Sequence, residues 1–376
     1  LIVDKDGLYY DASQPSGLEK LLADHPLDDV DLLQQASDAI DLQIRLDVSK
    51  YSAHTQDLPD GLSDFVLVVD QAFGDQAVTL GGADQATFDR MLAAAREEHP
   101  SATIVIKAHP ETAAEHRGGY FDTLEEQDGV TIVRDRVSPW ALLRRARAVY
   151  TVTSQLGFEA ILAGHQPVVF GQPFYAGWGL SDDRMPIVRR ERTLTRQQLY
   201  AAAMLLYPTW YDPFRDTLGS AESAIYALGV EARAWREDHS GVVAQGMRLW
   251  KRGHLRRFFG SRRVRFEEDA VQAADKAADL GASLLCWSKP PAELERDAAK
   301  RNLDLSRVED GFLRSRGLGA KLVPPLSLVR DTTGIYFDAT RPSDLENLIG
   351  ASRELPPAAL DRARRLREKL IDLRLT

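Results

Sequence analysis

The sequence is poor in the residues that build covalent or metal-held frameworks. A single cysteine, Cys286, stands among 376 residues. One cysteine excludes an internal disulfide and any structural zinc site built on several thiolates. No apolar run approaches the roughly 20 residues that a membrane-spanning helix needs. With 44% apolar and 27% charged residues, the composition is that of an ordinary globular protein, and the length predicts two to three domains.

An overall excess of basic charge is also lacking. The formal net charge is −9, and residues 1–64 hold 14 acidic and 4 basic side chains. The remainder is nearly balanced, with 42 acidic and 43 basic side chains. A nucleic-acid-binding protein usually shows a basic balance, so no nucleic-acid partner is expected.

One segment, 248–265, is strongly basic and contains no acidic residue. Trp250, Phe258 and Phe259 are interleaved, and Phe266 follows. Such a segment fits either a patch for anionic lipid headgroups or nucleotide phosphates, or a solvated connector between domains. Its basic residues are Arg248, Lys251, Arg252, Arg256, Arg257, Arg262, Arg263 and Arg265.

An internal repeat is present at an offset of 327 residues. Residues 4–22 (DKDGLYYDASQPSGLEKLL) align without gaps with 331–349 (DTTGIYFDATRPSDLENLI). The shared pattern predicts an Asp-x-x-Gly turn, a short strand with aromatics, and a helix that begins at a serine. We therefore expect a parent module of about 327 residues, with this chain starting inside one module and stopping inside the next.

Strand-length apolar runs alternate with helical patterns over residues 65–235. The runs lie at 65–69, 103–107, 130–133, 148–153 and 167–170. This alternation predicts a doubly wound parallel sheet, whose ligands bind beyond the carboxyl ends of the strands. A second α/β pattern begins near residue 268.

Two polar clusters follow successive predicted strands of the first sheet. Lys107 and His109 end one strand, and they could pair with a phosphate or carboxylate. After the next come Thr153, Ser154 and Gln155 at a predicted helix start, where free N–H groups favour a phosphate. Glu159 follows and could accept ribose hydroxyls. The alternatives are a satisfied histidine and a plain helix cap.

Two further features of the first domain are less specific. The loop 171–180 (GQPFYAGWGL) combines three glycines with three aromatics, and fits either support for a base or sugar ring or packing between domains. Asp75 follows the first strand and is a weaker candidate, since it fits a turn-closing role.

A fourth cluster, in the second α/β pattern, carries paired acids. Glu309 and Asp310 end a short predicted strand and precede Gly311 and a helix-like start. If the chain is extended there, the two side chains point to opposite faces, so only one is expected to enter a cleft. Asp310 is the predicted catalytic carboxylate, as nucleophile or base. Arg314 and Ser315 are predicted to bind an anion, and the alternative is a capped turn with surface acids.

Together these stretches resemble the capsule polysaccharide biosynthesis family of bacterial β-Kdo transferases (KpsC-like). The resemblance implies the GT-B architecture, two Rossmann-like domains, and often two such modules in tandem. The matching motifs are EDGFLRSRGLG (309–319), PPLSLVRD (324–331), GIYFDATRPSDLE (334–346), KAHPE (107–111), TSQLGFEAILAG (153–164) and GQPFYAGWGL (171–180).

The resemblance implies a cytoplasmic enzyme, peripheral at the inner membrane, that works with other capsule assembly proteins. It would transfer Kdo from CMP-β-Kdo with retention, building a poly-Kdo linker on a phosphatidylglycerol lipid. The donor-binding residues would be Lys107, His109, Thr153, Ser154, Gln155 and Glu159. No cofactor or metal is expected, because Lys, Arg and a helix N-terminus can neutralise the single phosphate of CMP.

The predicted domains follow from the repeat and the resemblance. Residues 1–58 are assigned to the acceptor-side domain of an upstream module, 59–240 to a CMP-sugar-binding domain, 241–266 to a basic linker and 267–376 to the next acceptor-side domain. Because the donor and acceptor domains then belong to different modules, the isolated chain is expected to show at most weak transfer. The alternatives left open are a GT-B transferase or epimerase using a UDP-sugar, and a non-catalytic component of capsule assembly or export.

Overall fold

The computed structural model describes residues 1–113, 117–124, 129–260 and 263–375. They form two compact units, Leu1–Arg236 and Glu237–Thr376. Arg262 of the basic segment and Thr376, the last residue, lie outside the described residues. In the described part of the chain, helices are too short or too polar to cross a membrane.

The first unit alternates strands and helices after two N-terminal helices. Its strands are β1 (Phe65–Val69), β2 (Ile104–Lys107), β3 (Val130–Val133), β4 (Ala146–Thr151), β5 (Val168–Val169), β6 (Asp182–Asp183), β7 (Trp210–Asp212) and β8 (Thr217–Gly219). Its helices are α1 (Gly17–Asp24), α2 (Val30–Arg45), α3 (Gln76–Leu80), α4 (Gln85–Glu98), α5 (Pro110–Ala113), α6 (Pro139–Arg145), α7 (Gln155–Leu162), α8 (Arg196–Tyr200), which a π-helical stretch over Ala201–Leu206 continues, and α9 (Ala221–Asp238).

The main sheet of the first unit is parallel throughout, in the order β3-β2-β1-β4-β5-β6. This is the strand order of doubly wound nucleotide-binding sheets, and it reverses direction between β1 and β4. β7 and β8 form a separate antiparallel pair. The predicted parallel sheet is therefore confirmed, and each of its five predicted strands ends within two residues of the observed one.

The central strand β1 is apolar at every position because both faces of the sheet are covered. Phe65 and Leu67 belong to a core cluster that also includes the N-terminal helices. Val66 and Val68 face the other side and pack in a cluster with Phe88 of α4. The two clusters make a three-layer unit in which the carboxyl edge of the sheet stays accessible.

Residues 1–58 are part of the first unit. Leu22 of α1 and Ile40 of α2 are buried in the same cluster as Phe65. The indole Nε1 of Trp140 donates to the carbonyl of Val48 at 3.0 Å. The boundary predicted at 58/59 therefore does not separate compact units, because these helices bury their apolar faces against the sheet domain. The division lies at 236/237 instead.

The second unit is a smaller mixed sheet with helices. Its order is β10-β9-β11-β12-β13, and all neighbours are parallel except β12 and β13. The strands are β9 (Val242–Gln245), β10 (Val264–Glu267), β11 (Ser283–Trp287), β12 (Leu305–Asp310) and β13 (Leu328–Asp331). The helices are α10 (Leu249–Phe259), α11 (Ala270–Leu280), α12 (Ala292–Lys300), α13 (Asp344–Ala351) and α14 (Pro357–Asp372), with 3₁₀ turns at Gly319–Lys321 and Ser352–Glu354.

The predicted linker at 241–266 is wrong. It forms β9, α10 and β10, and β9 lies inside the sheet between β10 and β11. Leu255 and Phe259 of α10 are buried against Val242 and Ala244 of β9. The high density of arginine masked this i, i+4 apolar pair, which is enough to seat one face of a helix.

Candidate functional site

The strand order of the first unit reverses between β1 and β4, and the site lies at this point. Sheets of this kind bind ligands at the carboxyl ends of the strands where the order reverses. A cavity of about 810 Å³ is present there. It brings together all six residues predicted to bind the donor, namely Lys107, His109, Thr153, Ser154, Gln155 and Glu159.

Lys107 and His109 enter the cavity from the end of β2. Lys107 is 8% exposed, and its ammonium donates to the carbonyl of Ala108 at 2.9 Å. Burial lowers the pKa of Lys107 to about 8, against the opposing charges of Asp135 and Asp70. The lysine is still mostly protonated at pH 7, so it supplies a positive charge with little bound water.

The imidazole of His109 is oriented by the following turn. Its Nδ1 accepts the backbone N–H of Glu111 at 3.2 Å, so the neutral ring carries its proton on Nε2. Burial lowers the pKa of His109. At neutral pH the ring is therefore a neutral donor, and the edge of Tyr51 packs on it with a centroid distance of 6.0 Å.

Thr153 is held by a side chain that the sequence reading missed. Gln71, just after β1, accepts the Thr153 backbone N–H at 2.9 Å and donates to its hydroxyl at 3.0 Å. The neighbouring Asp70 is buried, which raises its pKa to about 6. Residues that directly follow the central strand are the usual ligand-binding positions of this sheet type, and that rule would have found them.

Ser154 and Glu159 occupy the first turns of α7. Ser154 is the N-cap, and its hydroxyl accepts the N–H of Leu156 at 3.3 Å. Glu159 is 2% exposed, and its Oε1 accepts the hydroxyl of Ser49 at 2.7 Å. Burial raises the pKa of Glu159 to about 7. One oxygen of the proposed ribose acceptor is thus already bound to a protein hydroxyl.

The N-terminal part of the chain supplies a wall of this cavity. Lys50, Tyr51 and His54 line it, together with Tyr9 and Tyr10 from the first repeat copy. The predicted boundary at 58/59 places these residues in another domain. Lys50, Tyr51 and His54 belong to no motif, and they reach the cavity because α2, which precedes them, packs on the sheet.

The aromatic loop serves mainly to pack the first unit. Tyr175 and Trp178 are fully buried, and the Tyr175 hydroxyl donates to the Ser154 carbonyl at 2.6 Å. A Cβ on Gly157 would lie 2.3 Å from that hydroxyl, so a glycine is required there. Phe174 alone of the loop's aromatics lines the cavity. Asp75 caps α3 by accepting the N–H of Ala77, as the turn-closing alternative predicts.

In the second unit Glu309 and Asp310 are the last two residues of β12. Oε1 of Glu309 accepts the indole N–H of Trp287 at 3.0 Å and the backbone N–H of Asp310 at 3.1 Å. Oδ2 of Asp310 accepts Nε of Arg314 at 2.7 Å. Oδ1 of Asp310 is buried and has no hydrogen-bond partner within the described residues. The two acids are thus held by different partners.

Arg314 and Ser315 bind within the chain. Nη1 of Arg314 donates to the Ser315 hydroxyl at 2.8 Å and to the Val323 carbonyl at 3.0 Å. The helix predicted to start after Gly311 does not form, and residues 311–318 contain neither helix nor strand. A Cβ on Gly311 would lie 2.3 Å from the Ser327 hydroxyl, so the close return of the chain toward β13 requires this glycine.

The chemistry available differs between the units. The first offers a cation, a neutral imidazole donor and the start of a helix around a cavity, which suits a phosphate with an attached sugar. The second offers a carboxylate held by an arginine, which suits a nucleophile or base. Among the described side chains, His, Cys, Asp and Glu form no group of three or more placed to hold a metal ion.

Comparison with known proteins gives a family match over both units. The model of a family described as "Capsule polysaccharide biosynthesis protein" matches residues 41–209 and 283–375. The capsule polysaccharide modification protein LipA of Neisseria meningitidis serogroup B is 38% identical over 364 residues, 93% of this chain and 52% of LipA. The lipopolysaccharide-processing protein LpsZ of Rhizobium meliloti is 34% identical over 237 residues, 61% of this chain and 54% of LpsZ.

A solved structure is also similar. It is described as the β-Kdo 2,4-transferase KpsC of Thermosulfurimonas dismutans, and it is 40% identical with a TM-score of 0.58. The match covers 61% of this chain and 72% of that structure. The chain spans about half the length of the curated relatives it matches.

Proposed function

Since this chain belongs to the capsule polysaccharide biosynthesis family, we propose that it carries the donor-binding part of a retaining β-Kdo transferase, together with an acceptor-side domain. The donor would be CMP-β-Kdo, and the product a poly-Kdo linker on a phosphatidylglycerol lipid. Both modules would have the GT-B architecture. The similarity to a solved Kdo transferase at 40% identity supports the sugar.

One observation carries the proposal. Six residues chosen from two separate motifs line a single cavity at the reversal point of the sheet. In the proposed complex the Lys107 ammonium and the Nε2–H of His109 bind the phosphate of CMP, helped by the free N–H groups at the start of α7. Glu159 and Ser49 then face the ribose. No metal is part of the proposal, so EDTA is expected to leave CMP binding unchanged.

Asp310 is proposed as the catalytic carboxylate. In a double displacement its carboxylate would bond to the anomeric carbon as the bond from that carbon to the CMP phosphate breaks and CMP leaves. The acceptor hydroxyl oxygen would then bond to the same carbon as the bond to Asp310 breaks, and the hydroxyl proton would pass to water. By the 327-residue repeat, Asp310 and the Lys107 cavity belong to different modules. The isolated chain is therefore expected to bind CMP well and to transfer sugar weakly.

The acceptor and location are proposed with the same function. A lipid-linked Kdo acceptor would bring the protein to the cytoplasmic face of the inner membrane, beside other capsule assembly proteins. Arg256, Arg257 and Phe258 are exposed at the end of α10. An exposed cationic and aromatic set of this kind suits contact with anionic lipid headgroups.

Nucleotide binding tests the proposal directly. Calorimetric titration of the 376-residue chain is expected to show CMP binding, with UDP at least about tenfold weaker. His109→Ala should weaken CMP binding by about tenfold or more, because a donor to the phosphate is lost. His25→Ala, an exposed histidine outside the cavity, is the matched control.

Two results would count against it. Equal or tighter binding of UDP would favour the UDP-sugar alternative. Binding of neither nucleotide, in a chain that is folded by circular dichroism, would exclude the cavity as a CMP site and leave a non-catalytic role in capsule assembly.

A further inference from the structure

The start of the basic helix α10 lies at the same edge of the second sheet as Asp310. Strands β9, β11 and β12 are parallel neighbours, so their carboxyl ends meet at one edge. α10 begins four residues after β9 ends. Lys251 precedes the buried Leu255 and Phe259 by one and two turns, so it lies on the inward face of the helix.

Lys251 is held over an aromatic ring that also binds one of the two acids. Its ammonium lies 3.1 Å from the centroid of Trp287. Trp287 in turn donates to Oε1 of Glu309. A cation over an indole face is favourable, and most so when water is partly excluded. The side chain is thereby kept at the edge of the sheet instead of extending into solvent.

Positive charge exceeds negative charge at this edge. Four charged groups act on Lys251, namely Glu309, Asp310, Arg248 and Arg314. The carboxylates already have other partners, since Trp287 donates to Glu309 and Arg314 to Asp310. Neither Arg248 nor Lys251 forms an ion pair with the residues described.

The histidine one turn along the helix, His254, lies among some of the same charged groups. Partial burial lowers the pKa of His254, and the charges of Arg257 and Arg314 lower it further. The charge of Asp310 opposes this shift only in part. A net positive potential beside a carboxylate, with the faces of Trp250 and Trp287 nearby, is suited to an anionic sugar. The indole of Trp250, which is 38% exposed, offers apolar surface for the sugar, and the ammonium held over Trp287 offers a charge-assisted hydrogen bond.

We propose that Lys251, supported by Arg248, binds the anionic group of a substrate beside Asp310. The shared chemistry is a carboxylate or a phosphate, which a sugar acid or a lipid phosphate would supply. The inference rests on the proposed function for the identity of the sugar acid, and on the second unit alone for the anion site. Lys251 thus joins the candidate site as a binding residue from the basic segment 248–265.

Ligand-observed NMR titration of the 376-residue chain tests this, with saturating CMP present to occupy the first cavity. The probes are free Kdo, its methyl ester and inorganic phosphate. We expect the acid to bind about tenfold more tightly than the ester. Lys251→Met should remove this preference, and Lys251→Arg should keep it. Lys300→Met, at an exposed lysine at the end of α12, is the matched control for lost charge.

The pH dependence of the preference for the acid over its ester distinguishes a role for the charge of Lys251 from a role for its packing. Burial lowers the pKa of Lys251 to about 8, with Glu309 and Asp310 opposing and Arg248 and Arg314 assisting. The preference for the acid should therefore shrink as pH rises through 8 to 9 in the unmodified chain. It should persist at pH 9 in Lys251→Arg, because a guanidinium stays charged.

The responses of the probes to Lys251→Met decide whether the anion site is present. Competition by phosphate that disappears in Lys251→Met supports the anion site and assigns it to a phosphate. Equal binding of acid and ester without phosphate competition overturns the proposal, and so does a preference that survives in Lys251→Met. Co-sedimentation with phosphatidylglycerol vesicles is the separate test for lipid. If Lys251→Met weakens only this vesicle binding, the anion site beside Asp310 is overturned and the helix is a lipid-binding surface. Failure of CMP binding, by contrast, would count against the proposed CMP site in the first unit and not against the Lys251 site.

Discussion

Residues 4–22 and 331–349 invite comparison because the same sequence pattern occurs in two surroundings. Asp4 accepts the backbone N–H groups of the residues two, three and thirteen positions later. Asp331 accepts N–H groups from the same three relative positions. The following aromatic pairs also match, edge to face at centroid distances of 5.2 and 5.4 Å.

The helices that follow are used differently. Leu22 of α1 is fully buried, while its counterpart Ile349 of α13 is 61% exposed. Glu19 is buried, binding Arg190 at 2.7 Å and Arg189 at 2.5 Å. Its counterpart Glu346 turns back instead, and accepts the N–H of its own N-cap, Ser343.

This difference separates local from tertiary causes. The turn depends on an aspartate and backbone groups within thirteen residues, so it forms in both copies. The use of the glutamate depends on whether two arginines lie within reach, which only the fold around the first copy provides. Substitutions at matched positions in the two copies should therefore lower the free energy of unfolding by unequal amounts wherever one copy makes tertiary contacts that the other lacks.

The largest difference in lost stability is expected between substitutions of the matched glutamates, Glu19 and Glu346. Glu19→Gln leaves buried Arg190 without its carboxylate and should destabilise the first unit by about 3–5 kcal/mol. Glu346→Gln keeps a side-chain acceptor for the capping box and should cost less than about 0.5 kcal/mol. Urea unfolding followed by hydrogen exchange in β1 and β11 reports each unit separately. Equal losses in both variants would contradict the comparison.

A smaller effect is expected at the contact between Ser49 and Glu159 in the cavity of the first unit. Ser49 binds Glu159, whose pKa burial raises from 4.5 to about 7. The native state therefore keeps a proton that the unfolded chain loses above pH 4.5, and this contribution to stability is lost as pH rises to 7. Compared with the Glu159→Gln variant, the first unit of the unmodified chain should lose on the order of 2 kcal/mol of its free energy of unfolding between pH 5 and 7.

Urea unfolding at pH 5, 6, 7 and 8 measures this difference. Glu97→Gln, at an exposed position of α4, is the control for a changed charge. A stability difference that stays constant across the series would show that Glu159 is ionised throughout.

The smallest difference in lost stability is expected between substitutions of the matched aspartates, Asp4 and Asp331. Asp4→Ala and Asp331→Ala each leave three N–H groups without an acceptor, at a cost of about 1–3 kcal/mol. Asp4 also accepts the Tyr207 hydroxyl at 2.6 Å, so its loss should cost about 1 kcal/mol more. Asp4→Ala combined with Tyr207→Phe tests this, since the extra cost should vanish. A larger cost for Asp331→Ala would show that the turn depends more on its surroundings than proposed.

Sequence patterns predicted the parallel sheet of the first unit well, because its strands are continuous apolar runs bounded by polar turns. They also placed Lys107, His109 and Ser154 at strand ends, where side chains face a common edge. They failed at α10, where arginines concealed a pair of buried residues, and at Gln71 and Asp70, which form no motif.

What the sequence determined by itself was therefore carried by short-range rules. The Asp-x-x-Gly turns, the caps at Ser16 and Ser343, and the order of strands and helices depend on groups close in the chain. Only the tertiary structure decided which faces were covered. It brought Ser49 to Glu159 and Lys251 to Trp287, because such contacts depend on how helices pack onto a sheet and not on spacing along the chain.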